Sequence, residues 1–338
     1  MLIAISMFFV PSLSAAAITH LKADDIYLTP GGETIGIEIE TNVVVIDTYS
    51  VKTNVGKVNP AKVADIRSGD ILLNIDGIRI KDIDDLKETL MEYKNNQNKP
   101  MNILIKRNGR LLTKKVYPAK SKNDTLSLGL YLKDNVLGIG TLTFIYNNQQ
   151  FGALGHQIKD RNNSLKEEEL VFGKIKRAEV TSIKKSTNGK PGEKRAIIGK
   201  GEIGKVNNNT ITGIYGNINT HSNLRSKNKL PIATQDEVKL GSAKIYTVIN
   251  GNQIETFDVE IISAEKQSKK DIKGIKLRIT DERLLSKTGG IIQGMSGSPI
   301  IQDGKIIGAV THVLVDDTTV GYGVYIEFML EELGIIVE

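Results

Sequence analysis

One serine flanked by glycines marks the place where this sequence could perform covalent chemistry. In the segment IIQGMSGSPII, residues 291–301, Ser296 lies between Gly294 and Gly297. Glycine adopts backbone angles that other residues avoid, so the N–H groups of Gly294 and Ser296 can point at one oxygen. A serine hydroxyl becomes a nucleophile when a base takes its proton and fixed donors stabilise the oxyanion that forms. The segment therefore predicts Ser296 as a nucleophile, with an oxyanion hole formed by Gly294 and Ser296.

The base for this serine is predicted to be His156. It follows Gly152 and Gly155 in the segment FGALGHQI, where a strand is expected to end. His312 lies within the apolar run GAVTHVL and is interpreted as a packed strand residue. His221 falls in a polar loop and His20 near the N-terminus. A strand-ending histidine that reaches a serine hydroxyl would act as a general base.

Composition excludes several other kinds of chemistry. The chain has no cysteine, which rules out disulfides, thiolate catalysis and cysteine-bound zinc. Its four histidines lack the close spacing of a metal-binding helix, so neither a metal nor an organic cofactor is expected. The net charge of +6 is spread over alternating acidic and basic residues. The sequence has no basic stripe with interleaved aromatic residues, so nucleic-acid binding is not expected.

The residues that follow Ser296 are predicted to hold it rigidly. Ser298 precedes Pro299, whose ring favours extended geometry, and we interpret Ser298 as a pocket wall or a backbone hydrogen-bonding residue. The run PIIQDGKIIGAVTHV predicts a β-hairpin with its turn at Asp303 and Gly304. This hairpin would place the nucleophile at the rim of a sheet.

Residues 28–119 alternate short strand-like runs with one amphipathic helix. Asp82 is expected to cap this helix. Its apolar face is formed by Ile83, Leu86, Leu90 and Tyr93. The run NPAKVADIRSGDILLNIDGIRI resembles the core of a PDZ domain.

The PDZ resemblance implies a peptide-binding edge. In that family a peptide C-terminus or an internal strand pairs with a sheet edge, beside a loop whose N–H groups receive a carboxylate. The resemblance assigns this loop to residues 32–37. Ile35, Gly36 and Ile37 stand at the apolar-Gly-apolar signature.

The rest of the chain predicts a β-rich domain behind a leader. Residues 125–338 contain many short strand-like runs separated by turn residues, which indicates a closed or sandwiched all-β domain that ends in one helix. Residues 1–20 begin with an apolar run that becomes small-residue-rich at 12–17, as in a signal peptide or a membrane anchor. The body of the protein is therefore expected outside the cytoplasm, either tethered or released.

Two motifs carry a resemblance to one family. GALGH and ITDERLLSKTGGIIQGMSGSPII, behind a PDZ-like region and an apolar leader, resemble the SpoIVB peptidases of endospore-forming bacteria. The resemblance implies a serine endopeptidase with a chymotrypsin-like double β-barrel after the PDZ domain, secreted from the forespore into the space between two membranes. There it would cleave the membrane-bound inhibitor of an intramembrane metalloprotease, which leads to sigma factor activation. It would also cleave itself.

The resemblance also implies a catalytic triad of Ser296, His156 and Asp281. Asp281 lies fifteen residues before Ser296, closer than chymotrypsin-like enzymes generally place the acid. Lining the substrate pocket or capping a turn is its alternative role, and Asp258 and Asp271 remain alternative orienting acids. A different class of function, a non-catalytic PDZ adaptor that binds a membrane protein, would use the Gly-Ser loop only as a tight turn.

Overall fold

Strands dominate the part of the chain that the structure describes. The computed structural model describes residues 18–93, 99–159, 171–219 and 228–338. Most of the expected leader, residues 1–17, lies outside these ranges. Across the described ranges, we find no helix with the length and apolar character needed to span a bilayer.

The strands are numbered in chain order. Before the segment that carries His156 they are β1 (Thr19–Leu21), β2 (Tyr27–Pro30), β3 (Thr34–Thr48), β4 (Val51–Thr53), β5 (Gly56–Val58), β6 (Ile71–Ile75), β7 (Ile78–Arg79), β8 (Met101–Arg107), β9 (Arg110–Val116), β10 (Ala119–Lys120), β11 (Leu126–Ser127), β12 (Leu130–Tyr146) and β13 (Gln150–Ala153). After it they are β14 (Gly173–Lys184), β15 (Glu193–Thr210), β16 (Gly213–Ile218), β17 (Leu230–Pro231), β18 (Gly241–Val248), β19 (Ile254–Ala264), β20 (Ile275–Ile279), β21 (Pro299–Gln302), β22 (Lys305–Leu314), β23 (Asp317–Tyr325) and β24 (Ile335–Val337). The α-helices are α1 (Pro60–Val63), α2 (Ile83–Glu92), α3 (Glu282–Thr288) and α4 (Ile326–Glu331).

The first barrel closes through six antiparallel strands. β3 pairs with β12, β12 with β13, β13 with β16, β16 with β15, β15 with β14, and β14 returns to β3. If the six are counted in chain order, the ring runs 1-2-3-6-5-4. Alternate side chains point inwards and fill the barrel, as Ile35, Ile37, Phe151 and Ile214 do.

The second barrel repeats this topology. Its ring is β18-β19-β20-β23-β22-β21, closed by the pairing of β21 with β18, which is again the order 1-2-3-6-5-4. Two closed barrels with the same strand order form a chymotrypsin-like double β-barrel, which confirms the predicted fold class. The hairpin after Ser296 also forms as predicted: β21 and β22 are joined at Asp303 and Gly304, which have φ angles of 50° and 77°.

The PDZ unit lies between the first two strands of the first barrel. Its core packs strands β6, β8 and β9 and helix α2 around a cluster that includes Leu72, Ile103 and Leu86. Helix α2 forms as predicted, with the Asp82 side chain accepting a hydrogen bond from the N–H of Asp85 at 2.8 Å. The chain order is PDZ and then peptidase domain. The predicted PDZ range, residues 28–119, does not coincide with this unit. The first half of β3 falls within that range but forms its hydrogen bonds in the first barrel.

Candidate active site

Ser296 lies on a short loop between α3 and β21, pressed against the first barrel. Gly297 donates its N–H to the carbonyl of Val310 at 2.7 Å, and the N–H of Val310 returns to the carbonyl of Ser298 at 2.9 Å. These bonds attach the loop to β22. Gly297 has a φ of 92°, and a Cβ there would lie 2.1 Å from the carbonyl oxygen of Thr141 on β12. Only glycine therefore fits at this contact between the barrels.

Every carbonyl of the nucleophile loop from residue 293 to residue 297 accepts a hydrogen bond. The donors come from β12, from the start of β15 and from the loop itself. In order, the carbonyls of Gln293, Gly294, Met295, Ser296 and Gly297 accept from Lys194 N, Thr141 Oγ1, Ser298 N, Thr141 N and Thr143 Oγ1 at 2.8–2.9 Å. The loop is thus held in one conformation from both sides.

The N–H groups of Gly294 and Ser296, by contrast, donate to no group in the described ranges. Each peptide unit is planar and trans, so a fixed carbonyl fixes the opposite direction for the N–H that follows it. The loop therefore presents two oriented, unbonded donors next to a serine. Preorganised donors of this kind stabilise an oxyanion strongly, because they need no rearrangement during the reaction.

His156 follows β13, the third strand of the first barrel. Leu154 and Gly155 both adopt left-handed backbone angles, with φ of 71° and 69°, and turn the chain toward β22. Such a conformation is strained for leucine, and strain of this kind concentrates at functional sites. A Cβ on Gly155 would lie 3.0 Å from Thr311 Cγ2, so the turn packs directly on β22. The His156 ring then lies 5.0 Å from the His312 ring, centroid to centroid.

The tautomer of His156 is set by the main chain. Its Nδ1 lies 3.0 Å from the carbonyl oxygen of Gln157, an acceptor, so the neutral ring carries its proton on Nδ1. Nε2 is then the basic nitrogen. Asn209, near the end of β15, holds this segment by accepting from Ile158 N at 2.8 Å and donating to Ile158 O at 2.9 Å. The carbonyl of Gln157 thus fixes the tautomer of the His156 ring.

Ser296 and the segment that carries His156 both contact the stretch of β22 around Thr311 and His312, and no hydrogen bond joins the two residues in the described ranges. Ser296 Oγ donates instead to the carbonyl of Thr311 at 2.8 Å, one residue before His312. The expected proton transfer therefore requires the hydroxyl to leave Thr311 and turn toward Nε2. Rotation about χ1 moves a serine hydroxyl between staggered positions, and catalytic hydrogen bonds often form only when substrate is bound.

Burial lowers the pKa of both site histidines. For His156 burial is the main cause, and for His312 burial followed by repulsion from His156 and Lys273 lowers the pKa to about 4. Both rings are therefore neutral at pH 7. A neutral His312 leaves His156 without a positively charged neighbouring ring.

We expect the acid limb of kcat/KM to lie below pH 6.5. The lowered pKa of His156 means that its neutral, basic form persists to a lower pH than that of an exposed histidine. Activity should be full above the limb and fall as pH drops through it. A pH profile of kcat/KM on a protein substrate measures this, and a limb centred above pH 7 would contradict the assignment.

Asp281 does not contact His156, which corrects the triad that the resemblance implied. It caps α3 by accepting from the N–H groups of Arg283 at 2.9 Å and Leu284 at 3.3 Å. Its other oxygen pairs with the Arg283 guanidinium at 2.9 Å, and this pairing lowers the pKa of Asp281. A carboxylate that follows β20 and begins a helix points along that helix, so the alternative role as a cap is the one the geometry supports.

The two alternative acids also stay away from His156. Asp258 pairs with Lys244 at 2.6 Å on the surface of the second barrel. Asp271 accepts from the N–H of Ile272, whose carbonyl in turn accepts from Thr311 Oγ1 at 2.8 Å. Asp271 is therefore linked through one residue to the site strand. Within the described ranges no carboxylate hydrogen-bonds to the His156 ring.

Replacement of Asp281 by alanine should reduce stability and leave catalysis largely intact. Loss of an N-cap carboxylate typically costs about 1 kcal/mol. Loss of an orienting acid lowers kcat by about 10⁴-fold. Urea unfolding together with kcat/KM distinguishes the two roles. A fall in kcat of that size, with the fold retained, would restore Asp281 to the triad.

Three site residues escaped the sequence analysis. Thr141 binds two loop carbonyls, Thr311 accepts the Ser296 hydroxyl, and Asn209 holds the segment after His156. Each is a polar residue of ordinary appearance within a strand-like run. Only the closure of the barrels brings them to the nucleophile loop, so no local pattern could identify them.

The predicted PDZ carboxylate loop is wrong in position. Ile35, Gly36 and Ile37 lie in β3 and pair with β12 on one side and with β14 on the other. Ile35 and Ile37 are buried in the first barrel. A strand that is paired along both edges has no free edge to offer a peptide.

A second apolar-Gly-apolar sequence lies where the PDZ unit has a strand edge that pairs with no other strand of the described residues. Gly129 takes a φ of 69° between Leu128 and Leu130, immediately before β12. Tyr49, just after β3, donates its N–H to the carbonyl of Gly129. Val45 of β3 instead forms its backbone hydrogen bonds on the side away from β12, donating to Asp70 O and accepting from Gly69 N.

Along two antiparallel strands, residue pairs that are hydrogen-bonded to each other alternate with pairs whose N–H and C=O groups point away from the partner strand. Leu130 and Leu132 therefore point their N–H and C=O groups away from β3. Helix α2 lies beyond this edge of β12, tied to it by a 2.9 Å bond from Ile83 N to Asp134.

Comparison with known proteins identifies the N-terminal unit. A PDZ domain model matches residues 22–117. No curated protein matches the chain significantly. Two solved structures, the Rv3671c protease in inactive form and the Rv3671c protease from M. tuberculosis in active form, are each 15% identical, with TM-scores of 0.33. They cover 58% and 59% of this chain and 84% and 75% of their own chains.

A second family model covers more than half of the chain. The model of the family described as SpoIVB peptidase S55 matches residues 124–330, which include the barrel strands from β12 onwards, His156 and the nucleophile loop. The chain belongs to the SpoIVB peptidase S55 family.

Proposed function

We propose that this serine peptidase acts in sporulation signalling, with Ser296 as the nucleophile and His156 as the base. The observation that carries the catalytic part is the nucleophile loop, whose carbonyls are all bonded while the N–H groups of Gly294 and Ser296 stay unbonded. A loop that served an adaptor only as a tight turn would have no need of two oriented free donors. Membership of the family supports the same assignment.

The proposed reaction follows the serine peptidase sequence. Ser296 Oγ attacks the peptide carbonyl and passes its proton to His156 Nε2, while the carbonyl oxygen becomes an oxyanion between Gly294 N and Ser296 N. His156 then protonates the leaving amine, and water repeats the sequence to release the acyl group. Gln157 O steadies the imidazolium through Nδ1.

The substrate we propose is a membrane-bound inhibitor of an intramembrane metalloprotease, cut outside the cytoplasm in the space between the forespore and mother-cell membranes. The enzyme would also cut its own chain near the N-terminal leader. An extended peptide would pair with the free edge of β12 at Leu130 and Leu132, beside α2. This relocates the PDZ partner from residues 35–37 and retains β-strand addition as the binding mode.

Mass mapping of the protein's own N-terminus after incubation tests activity and self-cleavage together. Reaction with a fluorophosphonate, followed by peptide mapping, tests whether Ser296 is an activated nucleophile. We expect one modified peptide that contains Ser296. Absence of both labelling and cleavage in the folded protein would overturn the catalytic assignment and favour the adaptor. Cleavage of the purified extracytoplasmic segment of the inhibitor then tests the signalling role.

A further inference from the structure

A buried lysine lies under the nucleophile loop, at the seam between the barrels. Lys194, the second residue of β15, is only 5% exposed. Its Nζ donates to Thr247 Oγ1 of β18 at 2.8 Å and to Thr34 Oγ1 of β3 at 3.4 Å. It forms no ion pair among the described residues, and burial alone lowers its pKa to about 7. An amine without a counter-ion is unfavourable in a core, so a role beyond packing is needed to explain it.

The main chain of Lys194 controls one peptide unit of the oxyanion hole. Its N–H donates to the carbonyl of Gln293 at 2.9 Å, and Gln293 N donates to Gly192 O at 2.9 Å. The carbonyl of Gln293 and the N–H of Gly294 belong to the same planar trans unit, so they point in opposite directions. The bond from Lys194 therefore sets the direction of the Gly294 N–H.

The side chain of Lys194 packs on the same glycine. A Cβ on Gly294 would lie 3.1 Å from both Cβ and Cδ of Lys194, and Gly294 has a φ of 94°. The aliphatic stem thus fills the space next to a residue whose backbone could otherwise rotate freely. The amine fixes the far end of the stem between one threonine from each barrel.

We propose that Lys194 is a positioning residue for the oxyanion hole, which holds the Gln293–Gly294 peptide unit with its N–H facing the reacting carbonyl. The inference rests on the proposed peptidase activity. It assigns a role to a residue other than the nucleophile, the base and the two oxyanion donors. A misdirected Gly294 N–H weakens binding of the transition state and leaves binding of the substrate unchanged. The effect should therefore fall on kcat.

The test compares three variants on a quenched fluorescent casein. Lys194→Ala removes stem and amine, Lys194→Met keeps a stem of similar length, and Lys205→Met is the control on an exposed position of the same strand. We expect Lys194→Ala to lower kcat at least about tenfold with KM changed less than about twofold, as loss of an oxyanion donor lowers kcat about 10²–10³-fold. Lys194→Met should lose less, and Lys205→Met should match the wild type. Fluorophosphonate labelling should slow in parallel with kcat.

A lysine that only stabilised the fold would lower the unfolding temperature without changing kcat of the folded enzyme. Wild-type kcat and labelling in folded Lys194→Ala would overturn the inference. If that variant does not fold, the comparison moves to Lys194→Met and Thr247→Val, which keep the volume, and wild-type kcat in both would overturn it. An inactive, unlabelled wild type would instead count against the proposed function itself.

Discussion

Replacing Ser296 with alanine should abolish hydrolysis, with kcat falling by about 10⁴-fold or more. The variant keeps the oxyanion donors and loses the attacking atom and its proton. Ser296 Oγ makes one hydrogen bond, to Thr311 O, so its removal should change stability by no more than about 1 kcal/mol. Self-cleavage, casein hydrolysis and fluorophosphonate labelling should be lost together in a protein that unfolds at the same urea concentration as the wild type.

Ser298 supplies a matched control two residues away. Its side chain is buried, and its hydroxyl has no hydrogen-bond partner among the described residues. Its backbone alone is used, donating to Met295 O and accepting from Val310 N. Ser298→Ala should therefore keep kcat and leave stability equal or slightly higher, because an unsatisfied buried hydroxyl is removed. Loss of activity in Ser298→Ala with activity retained in Ser296→Ala would reverse the assignment of the nucleophile.

Features that depend on short-range sequence could be predicted. The turn at Asp303 and Gly304 follows from the local preference of those residues for left-handed angles, and helix α2 follows from the Asp82 cap and its apolar spacing. The glycines at 294 and 297 belong to the same class, because both take left-handed angles and Gly297 lies where two backbones touch.

Features that depend on which strands pair could not be predicted. ETIGIEI and SLGLYL carry the same apolar-Gly-apolar pattern, and nothing local distinguishes a strand with both edges paired from one with a free edge. When the barrel closes, the strand that contains ETIGIEI pairs with β12 along one edge and with β14 along the other. The same limit applied to Asp281. A carboxylate before a helix is as suitable for a cap as for a triad, and only the position of His156 decides between them.

Strand β12 explains why the two units could not be separated by sequence. Its first residues, Leu130 to Leu132, lie beside PDZ helix α2, and further along Thr141 and Thr143 bind the carbonyls of the nucleophile loop. One continuous strand thus contributes to both the PDZ edge and the active site. A boundary drawn between residues 119 and 125 assigns β12 to the peptidase domain alone.

Replacing Gly297 with alanine should have the largest effect on the fold. A left-handed backbone costs a residue with a Cβ about 1–2 kcal/mol, and forcing extra atoms into a packed region costs about 1–3 kcal/mol more. Here the new Cβ would lie 2.1 Å from Thr141 O and 2.5 Å from Leu154 N, both backbone atoms that cannot turn aside. We expect a loss of at least about 3 kcal/mol, with activity lost because the carbonyls of the loop leave Thr141 and Thr143.

Gly304→Ala separates the clash from the backbone angle. Gly304 has a similar left-handed φ of 77°, yet nothing lies within 4 Å of the position a Cβ would take. It should therefore cost only about 1 kcal/mol and leave kcat unchanged. Urea unfolding followed by tyrosine fluorescence suits both variants, because the chain contains 10 tyrosines and no tryptophan. Equal destabilisation by the two substitutions would mean that the contact between the nucleophile loop and β12 is looser than the structure has it.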